Sequence, residues 1–400
     1  MEKQIVKYAP CYVYDQKVIV DQIGMLKEAF AGFVLLYSVK ANPNIHVMQT
    51  IKEAGLGTDA ASANEVELSS KLGLTKDKVY YSCPGKTEDD IERVIQKSII
   101  IADSFHDLFV INEVAKRRGQ LVEIGLRINP NFTMISDSGA PSKFGIDEEQ
   151  VFLKAKEIGD LTHVVIKGIH VHIQSQILDY SMLSRYYEKV FALATRLKEE
   201  LNMGIEFINF GSGVGIVYDD KNDTPLDFVA LSKNISKLVM KYNQKLKATL
   251  ILETGRFVVG LAGKYVTQIV DIKRSRGKTF YIVKNSLNGF IRPSIACLVK
   301  KYASNIELLP TEPLFTSEQA FQFEVVNDSV EMERVDIVGH LCTAADVMTV
   351  DVMARKAEIG DMLVVSNAGS YAFTLSPNSF SSQDAPVELF LKTDGTLMER

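Results

Sequence analysis

The sequence has few of the residues that mark metal, membrane or nucleic-acid proteins. It contains no tryptophan, and its 4 cysteines (Cys11, Cys83, Cys297 and Cys342) lack the spacing of a metal site. No uncharged apolar run approaches the length of a membrane span, and the first residues begin no secretory signal. The net charge of −5 disfavours a nucleic-acid partner. We therefore expect a protein of the reducing cytoplasm without a metal site or a nucleic-acid or membrane partner.

Strand-like and helical patterns alternate over the first two thirds of the chain. The 400 residues suffice for about two domains. Strand-like runs lie near residues 33–39, 57–60, 78–82, 98–102, 121–128, 164–173, 205–210 and 248–253. Helical patterns between them include Asn44–Ala54, Asn64–Lys71 and Tyr180–Leu201. This α/β pattern predicts a parallel (β/α)8 TIM-type barrel, and a doubly wound open sheet is the alternative.

The pattern changes near residue 261. Strand-rich runs such as Lys264–Ile272, Thr279–Val283 and Met362–Val365 come without long helices between them, which predicts a mostly antiparallel β domain. We expect an N-terminal segment (1–24) whose strand Cys11–Tyr14 joins the β domain, a barrel at 25–260, and a C-terminal β domain at 261–400.

Polar residues stand where the predicted barrel strands end, which is where barrels of this type carry their active sites. They are Lys40, Asp59, Arg127, His170, His172, Gly211-Ser212-Gly213 and Glu253-Thr254-Gly255-Arg256. Lys40 follows a buried apolar run and precedes the turn Asn42-Pro43-Asn44. Desolvation there is expected to lower its pKa and make its amine the nucleophile that Schiff-base chemistry requires. A surface lysine at a strand end is the alternative.

The other rim residues each have a functional and a structural interpretation. The glycines of Gly211–Gly215 either let a ligand approach the backbone or form a tight turn. Glu253 either forms an ion pair with Arg256 or keeps a pyridinium nitrogen protonated. His170 and His172 face opposite sides of a strand, so one packs in the core while the other is free to stack on a planar cofactor.

Two segments of the β domain also stand out. Cys342, within Gly339–Asp346, is either a proton donor or an inert buried thiol. Tyr371, in the glycine-containing stretch Asn367–Ala372, either packs in a turn or offers its hydroxyl to a phosphate.

Together these segments resemble the fold-type III pyridoxal-phosphate decarboxylases, the diaminopimelate, ornithine and arginine decarboxylase family. The matching segments follow one another in order: Tyr37–Asn42, Asp59–Ser62, Ser142–Gly145, His170–Gln176, Gly211–Gly213, Glu253–Arg256, and the stretches around Cys342 and Tyr371. The resemblance implies a PLP-dependent amino-acid α-decarboxylase, with pyridoxal 5'-phosphate as cofactor and an alanine racemase-like pair of domains.

The resemblance also implies a role for each residue. Lys40 holds the cofactor until the substrate amine displaces it in an external aldimine, His172 stacks on the ring, and Glu253 pairs with the pyridinium nitrogen. The remaining cofactor contacts are Asp59 and Arg127 in the wall, and Ser175, Gly211, Ser212, Gly213, Gly255, Arg256 and Tyr371 at the phosphate. Cys342 is expected to come from the second subunit of a homodimer with shared active sites and to protonate the carbanion after carbon dioxide leaves.

Departures from the family pattern concern the substrate. Thr343 stands where diaminopimelate decarboxylases carry a glutamate that reads the distal amino group, and where ornithine decarboxylases carry an aspartate. Arg292-Pro293 keeps the arginine that helps bind a distal carboxylate, but Ala296 replaces the tyrosine four residues later. Lys284-Asn285-Ser286 replaces Asp-Gly-Gly, and Gln174 replaces a glycine.

The pattern Cys342-Thr343-x-x-Asp346 resembles that of a specialised branch of the family. Members of this branch decarboxylate conjugated amino acids in siderophore and antibiotic assembly. The expected substrate contacts are Arg256, Arg292, Thr343, Asp346 and Tyr371. The leading hypothesis is a carboxylate-bearing or conjugated amino-acid substrate, and the alternative is a diaminopimelate decarboxylase making L-lysine. A non-catalytic partner-binding homologue is a remote alternative, and a racemase is disfavoured because racemases use a tyrosine in place of Cys342.

Overall fold

The strands within the described part of the chain form two sheets. The structure, a computed structural model, describes residues 5–302 and 318–399. The strands are β1 Cys11–Asp15, β2 Val34–Ser38, β3 Gly57–Ala60, β4 Val79–Ser82, β5 Ile99–Ala102, β6 Val122–Asn129, β7 Ile146–Asp147, β8 Val164–His170, β9 Phe207–Asn209, β10 Thr249–Thr254, β11 Gly263–Ser275, β12 Lys278–Val283, β13 Phe323–Val326, β14 Met332–Gly339, β15 Val347–Arg355, β16 Met362–Val365, β17 Val387–Leu391 and β18 Leu397–Glu399.

The α-helices lie mostly between the strands of the first sheet. They are α1 Gln16–Ala29, α2 Ile45–Glu53, α3 Ala63–Lys71, α4 Glu88–Val94, α5 Phe105–Arg117, α6 Glu148–Leu153, α7 Ala155–Gly159, α8 Tyr180–Leu201, α9 Phe228–Leu238, α10 Gln244–Leu246, α11 Arg256–Val259 and α12 Ile291–Tyr302. None of the helices in the described ranges is long and apolar enough to cross a bilayer. A cytoplasmic location stays a prediction.

The first sheet is a closed barrel. Parallel pairing runs in the order β2, β3, β4, β5, β6, β8, β9 and β10, and β10 pairs again with β2, so the sheet has no free edge. This confirms the predicted (β/α)8 barrel and excludes the open sheet. The ring of Phe207 packs so closely against β6 and β8 that only glycine fits there. A Cβ would lie 2.8 Å from the ring at Gly125 and 2.5 Å from it at Gly168.

The second sheet is mostly antiparallel, as predicted. Its order is β15, β14, β12, β11, β1, β17 and β18, with β13 and β16 attached through β11. Two of its pairs, β1–β17 and β12–β14, are parallel. Contrary to the expectation of no long helix here, the 12-residue helix α12 interrupts the strand-rich region.

The N-terminal strand β1 lies inside the second sheet, between β11 and β17. The next element, α1, begins at Gln16, where the side chain of Asp15 accepts hydrogen bonds from Lys17 N and Val18 N. Helix α1 therefore runs across the predicted boundary at residue 24, because its N-cap, Asp15, lies nine residues before that boundary. We propose that the barrel domain begins near residue 16, and its end near residue 260 stays a prediction.

Candidate active site

A cavity of about 500 Å³ opens where the barrel strands end. Its lining includes most of the residues predicted for the site: Lys40, Arg127, His172, Ser175, Ser212, Gly213, Glu253, Gly255, Arg256 and Tyr371. Asp59 and Gly211 do not line it but contact residues that do, Asp59 through Ser38 and Ser82 and Gly211 through His172. Cys342, Thr343, Asp346 and Arg292 do not line it. The barrel topology therefore brings together residues that are more than 200 positions apart in the chain, and Tyr371 joins them from the second domain.

Lys40 stands just beyond a strand rather than at its end. Strand β2 ends at Ser38, and Lys40 occupies the 3-10 turn Val39–Ala41. Two hydrogen bonds at Asn42 fix the end of this turn. Tyr37 Oη donates to the carbonyl of Asn42, and Asn42 Nδ2 donates to Gly369 O. Lys40 is exposed to the cavity.

The expected low pKa of Lys40 is wrong. Burial lowers the pKa of its amine, but interactions with Asp59, Tyr371 and Glu253 act in the opposite direction and leave the pKa above its ordinary value. The sequence argument considered only desolvation, and the carboxylates come from other strands. In this structure Lys40 is therefore an ammonium that balances buried carboxylates.

Glu253 is a buried and ionised carboxylate. Its Oε1 accepts a hydrogen bond of 2.6 Å from Asn209 Nδ2. Its Oε2 lies 3.3 Å from His170 Nε2, without the alignment of a hydrogen bond. Burial raises the pKa of Glu253, but attraction to His170 and to other neighbouring groups outweighs burial and lowers the pKa to about 2. The alternative of an ion pair with Arg256 does not form, since Arg256 binds Tyr218 instead.

Asp59 is a second buried carboxylate, and its pKa is shifted in the opposite direction to that of Glu253. It is 1% exposed and accepts hydrogen bonds from Ser38 Oγ at 3.0 Å and Ser82 Oγ at 2.5 Å. Burial and repulsion from Glu253 raise its pKa. The site thus separates the pKa values of two carboxyl groups, which is typical of active sites.

His172 lies against the glycine loop. Gly211 has a φ of +60°, and a Cβ there would lie 2.5 Å from His172 Nδ1, so only glycine allows this approach. Burial and the positive charges of Arg127 and Lys40 lower the pKa of His172 to about 3. The imidazole is therefore neutral, and its Nε2 lies 3.3 Å from Ser175 Oγ.

Arg127 lines the cavity and pairs with Asp103. Its guanidinium lies 3.4 Å from Asp103 Oδ1 and 4.5 Å from the ring centre of Phe144. The other oxygen of Asp103 accepts a hydrogen bond of 3.1 Å from Gly145 N. Asp103 thereby fastens the Ser142–Gly145 segment to the barrel, and Lys143 and Phe144 of that segment line the cavity.

Arg292 is placed differently from the expectation of a substrate contact. It is 0% exposed, donating to Ser370 O at 2.9 Å and to Tyr218 Oη at 3.1 Å. Arg256 donates to the same Tyr218 oxygen at 2.7 Å while also lining the cavity. Tyr371, at a φ of +52°, donates its backbone N–H to Ala41 O and places its ring 5.4 Å from Arg256 Cζ.

The loop around Cys342 lies outside the cavity of its own chain. Cys342 is exposed, and Thr343 Oγ1 accepts a hydrogen bond of 3.3 Å from Ala345 N. The carboxylate of Asp346 is 3% exposed and accepts from Leu341 N at 2.9 Å, from Leu287 N at 3.1 Å and from Ser286 Oγ. Within the chain, Asp346 therefore fixes this loop rather than facing a substrate, contrary to the expectation.

Sequence reasoning missed several residues of the site. Asn209 at the end of β9 binds Glu253, and the strand-end rule that found its neighbours also covers it. Ser38 and Ser82, which bind Asp59, end β2 and β4 in the same way. Tyr218 lies in a loop without a strand signal, and no local pattern in the sequence identifies it.

These features fit pyridoxal phosphate. A buried ionised carboxylate suits a pyridinium nitrogen, the glycine at 211 leaves room beside a neutral histidine, and a lysine lies in the same cavity. Two donors of Arg256, Nε and Nη2, are buried without a hydrogen-bond partner in the described chain, as expected of a group that awaits an anion. Fold and site together define a barrel enzyme that uses pyridoxal phosphate.

Comparison with known proteins identifies the family. Residues 16–260 match the family described as pyridoxal-dependent decarboxylase, pyridoxal binding domain, and the chain belongs to it. It is therefore a pyridoxal-dependent decarboxylase, a carboxy-lyase.

Its relatives cover nearly the whole chain. The diaminopimelate decarboxylase of Aquifex aeolicus is 32% identical over 92% of this chain and 83% of its own length. The L-glutamyl-BtrI acyl-carrier protein decarboxylase of Niallia circulans is 29% identical over 97% of this chain and 89% of its own. The crystal structure of diaminopimelate decarboxylase from M. jannaschii in complex with L-lysine is 26% identical, covers 99% of this chain and 90% of its own, and has a TM-score of 0.86.

Proposed function

We propose that this decarboxylase acts on an amino acid that carries an additional carboxylate or is joined to another unit. The Cys342 loop supports this proposal, because it offers no free carboxylate to a distal ammonium. Thr343 is uncharged, and the carboxylate of Asp346 is occupied by Leu287, Leu341 and Ser286. A distal ammonium brought next to this loop would remain unpaired, at a cost in binding free energy.

The residues of the cavity have distinct tasks in this proposal. Lys40 attaches the cofactor covalently, and Glu253, kept ionised by its surroundings, holds a proton on the ring nitrogen. The neutral His172 would pack against the bound cofactor without competing for that proton. When bound, pyridoxal phosphate serves as an electron sink for the charge left by departing carbon dioxide.

The proton donor is proposed to come from a second copy of the chain. Cys342 is exposed and absent from the lining of its own cavity, which supports a role in which a partner's loop brings it to the reacting carbon. A two-fold symmetric homodimer supplies two such sites with one interface. The dimer and the proton transfer from Cys342 are both part of the proposal.

Diaminopimelate decarboxylase is the second candidate. It is favoured by the Aquifex aeolicus relative, which is 32% identical. Under this alternative, the distal ammonium of meso-diaminopimelate binds away from Thr343. The carrier-protein relative from Niallia circulans, 29% identical, instead supports a conjugated substrate.

Carbon dioxide release distinguishes the two candidates. Purified enzyme with pyridoxal phosphate is assayed on meso-diaminopimelate, ornithine, arginine, citryl-diaminopropionate and a glutamyl carrier-protein thioester. We expect release from one of the last two and little from the free diamino acids. Fast release from meso-diaminopimelate alone contradicts the proposal and establishes the alternative.

A matched variant tests the observation behind the proposal. Thr343→Glu restores a carboxylate next to Cys342 and is expected to improve turnover of meso-diaminopimelate by roughly tenfold, the effect of one charge-assisted contact. Thr343→Gln, of similar size and without charge, is the control. Equal behaviour of both variants would show that this position does not read the distal group.

A further inference from the structure

Tyr218 joins two buried arginines that have no carboxylate partner among the described residues. Its hydroxyl oxygen accepts from Arg256 Nη1 at 2.7 Å and from Arg292 Nη2 at 3.1 Å. Tyr218 is 6% exposed, Arg256 5% and Arg292 0%. Two guanidinium charges held this deep need compensation, and the phenol oxygen is the acceptor that they share.

The two arginines differ in what remains of their hydrogen-bonding capacity. Arg292 is anchored at a second point by Ser370 O, at 2.9 Å, and does not line the cavity. Arg256 lines the cavity, and its Nε and Nη2 are buried without a partner in the described chain. Nε and Nη2 form the edge of a guanidinium that binds an oxyanion with two parallel hydrogen bonds.

We infer that Tyr218 is a positioning residue, which fixes Arg256 through Nη1 so that its Nε–Nη2 edge is preformed for an oxyanion of the cofactor or substrate. Arg292 fixes Tyr218 in turn and is itself held by the backbone of Ser370. The chain of contacts thus runs from a rigid carbonyl to the anion-binding edge without a carboxylate that would neutralise the edge. A carboxylate in place of Tyr218 would compete with the bound anion.

The charge at this cluster agrees with the inference. Burial raises the pKa of Tyr218, but Arg292 and Arg256 outweigh burial and lower the pKa to about 8. Near neutral pH most of the phenol is therefore protonated, so the pair of arginines keeps a net positive charge. Tyr371, whose ring centre lies 5.4 Å from Arg256 Cζ, packs beside the same guanidinium and lines the cavity with it.

The oxyanion has two sources, the phosphate of the cofactor and a carboxylate of the substrate. Tyr218→Phe removes the shared oxygen and leaves the ring. Dissociation constants are measured for pyridoxal phosphate and for pyridoxal, which lacks the phosphate. The loaded enzyme is then titrated with meso-diaminopimelate and L-lysine, which differ by the distal carboxylate. Tyr281→Phe, a buried tyrosine bonded to Glu333 in the second domain, is the control for removing a buried hydroxyl.

If the phosphate of the cofactor binds at this edge, Tyr218→Phe is expected to weaken the binding of pyridoxal phosphate about 10- to 100-fold, the effect of losing a hydrogen bond to a charged group. The affinity for pyridoxal is then expected to be unchanged. If a carboxylate of the substrate binds at this edge, the same loss of affinity is expected for meso-diaminopimelate, while the affinity for L-lysine stays unchanged. Either result supports the inference. Unchanged binding of all four ligands overturns it, as does an equal loss within each pair of ligands.

Arg292→Gln keeps the test decisive if Tyr218→Phe does not fold. This change removes a buried charge and leaves Arg256 bonded to Tyr218, which then lacks its second anchor. We expect the same ligand to weaken, by a smaller factor than in Tyr218→Phe. Unchanged affinity for all four ligands in folded Arg292→Gln overturns the inference. These readouts concern ligand binding, so they hold or fail independently of which amino acid is decarboxylated.

Discussion

The barrel rim and the Cys342 loop both carry polar residues predicted for the active site, but within the described part of one chain only those of the rim line a common cavity. At the rim, Lys40, Glu253 and His172 line one cavity. In the loop, Cys342 is exposed, and the carboxylate of Asp346 accepts hydrogen bonds from Leu341 N and Ser286 Oγ. A closed parallel barrel brings all its strand ends to one face, so the rim converges by topology alone. A loop of the second domain has no such constraint, and its function depends on what it meets.

The sharpest test of the rim is Lys40→Ala. This variant loses the covalent attachment of the cofactor and the ammonium that balances Asp59 and Glu253. We expect decarboxylation to fall by on the order of 10⁴-fold or more, as for other covalent catalysts. The visible absorbance of lysine-bound pyridoxal phosphate is the measurement besides carbon dioxide release. A variant that keeps this absorbance would show that another lysine holds the cofactor.

The corresponding test of the loop is Cys342→Ala. Loss of a general acid is expected to slow turnover by about 10²- to 10⁴-fold, while the cofactor stays bound because Lys40, Glu253 and Arg256, which would hold it, are unchanged. Cys297→Ala is the matched control, since that thiol lies on helix α12. Full turnover by Cys342→Ala would remove the cysteine from the mechanism.

Mixing the two inactive variants tests whether the sites are shared. Subunits carrying Lys40→Ala and Cys342→Ala form, in a random mixture, heterodimers with one intact site. Roughly a quarter of the wild-type activity is then expected for an isologous dimer. Mixtures that stay inactive after demonstrated subunit exchange would mean that each chain supplies its own proton donor.

A smaller effect is expected from Asp346→Ala. The change leaves Leu287 N, Leu341 N and Ser286 Oγ without their acceptor, so the free energy of unfolding falls by about 2 kcal/mol and turnover falls by roughly tenfold. Affinity for pyridoxal phosphate is expected to be unchanged. The exposed Asp328→Ala is the control in denaturant unfolding. If Asp346→Ala instead raised only the KM of the substrate, Asp346 would be a substrate contact after all.

The smallest predicted effect is the pH dependence that His172 contributes. Its pKa is about 3 in the folded protein against 6.5 for a free histidine, so the unfolded state binds the extra proton between these values. Stability therefore falls as the pH drops below 6.5, and the loss levels off below pH 3. A fully buried group would lose about 2 kcal/mol by pH 5, and partial exposure of His172 reduces this to about 1 kcal/mol.

His172→Gln in the cofactor-free protein measures this contribution. The variant is expected to lose less unfolding free energy between pH 7 and pH 5 than the wild type, whereas the exposed His106→Gln behaves like the wild type. Identical pH profiles for His172→Gln and the wild type would show that the imidazole is protonated in the folded state.

Much of the barrel was predictable because its strands are short, apolar and separated by helices. Helix α8 has the predicted bounds Tyr180–Leu201, and β3 spans the predicted residues 57–60. The second domain was less predictable, since its strands pair over long separations. Strand β1 pairs with β17 more than 370 residues away, and helix α12 lies among strands.

The sequence by itself determined which residues reach the rim, because strand ends are local features and closure of a parallel barrel gathers them. Tertiary structure decided their charges and partners. Lys40 has a raised pKa because carboxylates from β3 and β10 lie near it, which no local desolvation argument includes. The tertiary structure also places Tyr218 between Arg256 and Arg292 and lets Asp346 bond to the Cys342 loop. Hydrogen bonds and charges act through space, and the fold alone sets those distances.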